Sequence, residues 1–168
     1  MSLLRVAAAK TGWLRQARVT PDTLNVAAHL VGAPLARPSQ RLWALAVDGI
    51  ALAILSNTLS ALFGEPPHWT QNLGLSVGWA MAYFTLVPYW LHGQTLGKKL
   101  LGLQVVELTG RPLTLLLCFS RYGGYAAGLA TGTFGFIQIL WDPNRQAIQD
   151  KIAHTVVLDA RAERILKA

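Results

Sequence analysis

Apolar positions in this chain are gathered into long blocks, not spread at the short periods of a soluble helix or strand. From Leu42 to Phe63 the chain reads LWALAVDGIALAILSNTLSALF, broken by one charge at Asp48. A helix of that length covers about 33 Å at ~1.5 Å per residue, enough for the hydrocarbon core of a bilayer. From Leu73 to Leu91 runs LGLSVGWAMAYFTLVPYWL, which carries no charge. Pro88 falls near its end, where membrane helices tolerate a kink. Leu113 to Trp141 is a third block, with Arg121 as its single charge. Core helices of soluble proteins keep a polar face, and the second block has none. Trp43, Trp69, Trp90 and Trp141 lie near block ends, where amphipathic rings favour the bilayer interface, whereas Trp79 is mid-block. The pattern predicts an all-α membrane protein with two transmembrane helices and a third long apolar segment.

Two runs between and after these blocks read differently. Residues 104–108 (QVVEL), followed by Thr109-Gly110-Arg111, read as a strand and turn, and residues 154–159 (HTVVLD) form the other β-branched run. Isolated short strands are unstable in water, so these two are expected to pair, on one side of the membrane. That expectation bears on the third block, which is long for one crossing and contains Gly123, Gly124, Gly128, Gly132 and Gly135 as places to bend. Residues 113–141 are therefore expected to form a re-entrant or hairpin-like helical pair, with a single span as the alternative. Near the N-terminus, Arg5, Lys10, Arg15 and Arg18 punctuate apolar positions, as in a helix lying on an anionic membrane surface. Thr20-Pro21-Asp22-Thr23 then opens a second short helical stretch, ended by Ala33-Pro34 and Arg37-Pro38.

Charge sharpens the topology. The chain has 168 residues, 14% of them charged against about 25% in a soluble domain, yet its formal net charge is +7. Its mean hydropathy is +0.36. The positive residues sit in flanks and connections: Arg37 and Arg41 before the first block, Lys98, Lys99 and Arg111 after the second, none in residues 64–72. The positive-inside rule puts the N-terminus in the cytoplasm and residues 64–72 outside. It also places the basic tail, with Arg145, Lys151, Arg161, Arg164 and Lys167, inside, which again asks the third block to return. Lipid headgroups explain the basic residues, Arg5, Arg15, Arg18, Lys98 and Lys99 among them, better than nucleic acid does. The single cysteine, Cys118, excludes an internal disulfide, and the four histidines show no metal-ligand spacing. Gly93-Gln94-Thr95-Leu96-Gly97-Lys98-Lys99 superficially resembles a phosphate loop, but it is one residue short and Lys99 replaces the magnesium-binding hydroxyl. No nucleophile–base pair is visible, and neither an enzyme activity, a cofactor nor a metal is expected.

The polar residues inside the blocks are the candidate chemistry. A membrane-embedded Asp costs about 2.5–3.5 kcal/mol on insertion scales, so Asp48 needs a partner or a proton. Arg41, seven positions earlier, lies on the same helix face, and Arg121 is the other candidate partner. Asp48 is either a proton- or cation-carrying carboxylate or half of a buried pair that fixes helix register. Asn57 faces roughly the opposite side and reads as interhelical glue. Gly74 with Gly78, and Gly124, Gly128 and Gly132, have the spacing of close helix contacts.

Three stretches together resemble the RDD family of bacterial membrane proteins: residues 41–49 (RLWALAVDG), residues 93–106 (GQTLGKKLLGLQVV) with Gly110-Arg111-Pro112-Leu113, and residues 141–157 (WDPNRQAIQDKIAHTVV). The resemblance implies an RDD-like membrane domain over 38–159, between a basic interfacial segment over 1–37 and a basic tail over 160–168. The naming arginine and two aspartates correspond to Arg41, Asp48 and Asp150. Gln149 stands where the family commonly has His, which weakens a proton relay there. The family implies a multi-pass protein of the bacterial inner membrane, loosely associated with transport. Two functions stay open: an ion- or solute-transport component using Asp48, or a non-transporting accessory that assembles a partner complex. Two or three spans enclose no pathway, so transport requires a homo-oligomer or a membrane-protein partner.

Overall fold

A computed structural model describes residues 17–21, 26–63, 73–132 and 134–162. The described chain is mostly helical with one small sheet. Helix α1 runs Pro38–Phe63 and α2 Leu73–Trp90 with Pro88 inside it. A short α3, Leu96–Leu101, leads directly into strand β1, Leu103–Glu107. Next come α4, Leu115–Ala130, and a short α5, Phe134–Ile137, followed by one 3-10 turn at Gln138–Leu140. A one-turn α6, Ile148–Ile152, precedes strand β2, Thr155–Asp159.

Among the described residues, α1 is the helix long and apolar enough to cross a membrane, and only 12% of its apolar window is buried by the rest of the chain. A soluble core helix of this composition would be covered. Leu42, Trp43, Ile50, Ile54 and Leu62 instead face outward.

The two predicted strands pair antiparallel, with Leu103 opposite Asp159 and Glu107 opposite Thr155. Each begins one residue away from the expected start, and the 104–108 run gives Leu108 to the following turn. β2 is buried along its whole length because it has neighbours on both edges. On its far edge Leu35 bridges Leu158, and Arg18 in turn bridges Pro34. Val156 and Leu158 pack on one face with Val19, Leu30, Leu35 and Leu108. Val157 packs on the other with Leu103, Val105, Ala36 and Ala44 of α1. Burial on both faces explains a strand without polar alternation.

This clasp revises the expected N-terminal organisation. In the described part of 1–37, the stretch after Thr20 has one 3-10 turn, Ala28–Leu30, in place of the short helix expected there. Its hydrogen bonds go to the sheet: Ala36 N–H to Val157 O and Ala27 N–H to Leu108 O. Residues 1–16, with Arg5 and Arg15, and residues 163–168 lie outside the described residues.

The third apolar block is not one continuous helix. α4 has 16 residues, about 24 Å against the roughly 30 Å of a bilayer core. The helix stops at Thr131, and Gly132 takes a left-handed φ of +62° that other residues resist. The chain then doubles back along α4: Phe136 stacks on Tyr125 with ring centroids 6.1 Å apart, Gly135 packs on Gly128, and Gln149 packs on Gly124. The geometry is hairpin-like, and it returns residues 142–162 to the start of α4.

Candidate functional site

The return brings the chain's buried charges to one junction, organised around two carboxylates. Asp150 is the N-terminal residue of neither α4 nor β2 but sits in the short α6 between them, fully buried. Its Oδ2 receives Arg41 Nη2 from α1, and its Oδ1 receives Arg121 Nη1 from α4 at 2.6 Å. Ala147 N–H also donates to Oδ2 at 3.1 Å, so the carboxylate reaches back to the start of its own helix. Arg41 Nη1 reaches the carbonyl of Arg145 at 2.8 Å, and Arg121 Nη1 also donates to the Thr155 hydroxyl on β2. Burial alone would raise the Asp150 pKa, but the two guanidiniums beside it hold the carboxyl below the usual carboxylate range.

Asp48 is equally buried but is answered by uncharged donors. Its Oδ1 accepts from Tyr83 Oη of α2 at 2.7 Å and from Gly97 N–H at 2.7 Å. Its Oδ2 accepts from Thr95 Oγ1 at 2.6 Å. Thr95 caps α3, its hydroxyl accepting from Lys98 N–H, and Tyr83 Oη accepts from Leu96 N–H. The run that resembles a phosphate loop therefore does hold a carboxyl group, the chain's own Asp48. Gly97 is required for this approach, since a Cβ there would lie 2.0 Å from Ala44 O.

Arg41, Arg121 and Asp150 thus come together, as candidates for a buried ion-pair network. Asp48 does not join them. Neither Arg41 nor Arg121 is its partner, because both guanidiniums are committed to Asp150 while α3 offers Asp48 hydroxyl and backbone donors at shorter reach. Asn57 corrects another expectation: its Nδ2 donates to Ala53 O in its own exposed turn, not to a second helix.

The glycines divide by environment. Gly124 and Gly128 lie under α6 and Phe136 as close contacts, and Gly135 joins them. Gly132 serves the turn instead, and a Cβ on it or on Gly78 would meet nothing within 4 Å in this chain. The surroundings of Gly74 lie outside the described residues. Of the candidate headgroup contacts, Lys99 is exposed, while Arg18 donates to Gly32 O at 3.0 Å. Lys98 is only 8% exposed, so burial removes it from the headgroup set. Tyr83, Thr95, Gly97 and Thr155 escaped sequence reasoning. A signal for the middle two was present: the run resembles a phosphate loop, and Asp48 was a membrane carboxyl in need of a partner.

No curated protein and no solved structure matches the chain. The sequence model of the RDD family matches residues 35–154, a span that takes in both carboxylates and both arginines. The chain belongs to the RDD family.

Proposed function

We propose that this protein is a multi-pass protein of the bacterial cytoplasmic membrane that acts as a non-transporting accessory, assembling with copies of itself or with another membrane protein. The observation that carries this reading is the state of Asp48. All three donors around it are supplied by the chain, and its side chain is inaccessible. A carboxylate that loads and releases a cation needs a vacant coordination position and a path to it. Asp150 is likewise neutralised by two guanidiniums. The exposed apolar residues of α1 and α2, including Ile50, Ile54, Val77 and Trp79, are free to meet lipid or a partner helix. Family membership and the apolar α1 support the membrane setting; loop charges support a cytoplasmic N-terminus with residues 64–72 outside.

Flux measurements in proteoliposomes, with Asp48→Asn as the comparison, test this. The Asn carbonyl can keep the bonds from Tyr83 and Gly97, and the Thr95 hydroxyl can rotate to accept from the new amide. The variant should therefore fold with a loss of about 1–2 kcal/mol. Wild-type and variant vesicles are expected to show the same proton, sodium and solute leak as empty ones, with a stoichiometric complex isolated after mild solubilisation. Wild-type flux abolished by Asp48→Asn would overturn the accessory reading in favour of transport.

A further inference from the structure

Helix α3 has two unlike faces. Gly97 and Lys98 turn inward, whereas Leu96 and Leu100 lie one turn apart and are 46% and 64% exposed. Lys99 is exposed beside Leu100. A second cation comes from beyond β2. The exposed Arg161 lies across Gly102, where a Cβ would sit 2.3 Å from its Cγ, and its Nη2 donates to Leu100 O. The carboxylate beside Arg161 is already occupied: Asp159 is buried and accepts from Gln40 Nε2 and from the Arg161 and Ala162 N–H groups. Among the described residues, the ion pairs are Arg41 and Arg121 with Asp150 and Lys151 with Asp142, so the chain neutralises neither Lys99 nor Arg161. Trp90 closes α2 just before α3, and Trp43 opens α1, on which α3 packs. Both rings are exposed, the placement favoured at headgroup depth. Two exposed leucines beside two unpaired cations suit neither bulk water nor hydrocarbon, but they suit the layer between them.

We propose that α3 and Arg161 form a binding site for an acidic phospholipid. Its phosphate is held between the Lys99 ammonium and the Arg161 guanidinium, and an acyl chain lies along Leu96 and Leu100. The pair differs from the one that sequence alone suggests, since burial removes Lys98 and Arg161 takes its place. The site rests on the membrane setting and serves an accessory and a transporter alike.

The test is native mass spectrometry of the purified full-length protein in detergent. The micelles are doped with equal amounts of phosphatidylglycerol and phosphatidylcholine of matched acyl chains. Preferential retention of phosphatidylglycerol is expected, undiminished by glycerol phosphate at the same concentration. Lys99→Gln and Arg161→Gln should each lower that retention about five-fold and leave phosphatidylcholine unchanged. Lys151→Gln removes an exposed cation already paired with Asp142 and should have little effect. The wild-type comparison of the two lipids needs no variant. Equal retention of both lipids, displacement by glycerol phosphate, or an equal loss in Lys151→Gln would each overturn the site. A protein that stays dispersed without detergent and retains neither lipid would overturn the membrane setting as well.

Discussion

Two fully buried aspartates are kept by different chemistry. Asp150 is held by charge, and its depressed pKa makes stability depend on pH in a definite direction. An unfolded Asp titrates near ~3.9. The folded carboxylate keeps its charge to lower pH, so its two ion pairs stabilise the fold above about pH 4 and lose that contribution as pH falls through the folded pKa. Asp150→Asn removes the charge between two arginines and should cost about 3–5 kcal/mol at neutral pH. It should also flatten the acid side of the stability profile. Melting temperatures in detergent from pH 7 down to pH 3 check both effects. An acid limb equally steep in the variant would show that other carboxylates carry it. Asp48, held by Tyr83, Thr95 and Gly97, makes no matching demand on a cation.

At the level of elements, the packing of α4 turns on which of two adjacent glycines is considered. A Cβ on Gly124 would sit 2.4 Å from Gln149 Cα, whereas one on Gly123 meets nothing within 4 Å. Backbone cannot step aside as a side-chain tip can, so Gly124→Ala should force α6 off α4 and strain the Arg121–Asp150 pair. The loss should reach about 1–3 kcal/mol, the range of overpacked cores. Gly123→Ala fills empty space and removes a helix glycine, gaining up to about 1 kcal/mol. Opposite shifts in melting temperature are expected, and shifts of the same sign would refute the close contact. The contrast also marks how far the sequence could be read. The apolar blocks, the β pairing and the return after α4 follow from local pattern, because composition and β-branching act over a few residues. Gly124 and Gly128 could be recognised as contacts from spacing, but Gly132 shares that spacing and serves a turn. The donors to Asp48 come from segments 35 to 49 positions away. Such partnerships depend on how α3 docks on α1, which no local period records. The short helix expected after Thr20 failed for the same reason: the edge of β2 captures Leu35 as extended chain, and Arg18 bridges Pro34 beside it.

On the scale of the molecule, the clasp made by residues 17–21 and 26–36, β1 and β2 gathers three distant parts of the chain onto one end of the helices. Arg41 at the start of α1, the α3–β1 connection after α2, and the segment after α5 all meet there. Such a meeting is compatible with a bilayer only if these parts share one side. The hairpin geometry of residues 115–140 satisfies that condition, and a single crossing would tear the β1–β2 pairing apart. In the proposed topology Arg37, Lys99 and Lys151 lie on the side of the N-terminus, the side that loop charges propose as cytoplasmic. Single-cysteine variants on a Cys118→Ser background test the arrangement in intact cells. His68→Cys is expected to react with an impermeant maleimide, while Lys167→Cys and Lys99→Cys react only after permeabilisation. Cys118 is the one cysteine of the chain, so the Cys118→Ser background holds no thiol and should stay unlabelled. Labelling at position 167 without permeabilisation, with position 99 protected, would separate the two strands across the membrane and refute the hairpin. Labelling at both would invert the orientation while leaving the clasp intact. The two failures are therefore distinguishable, and the first would reach the fold itself.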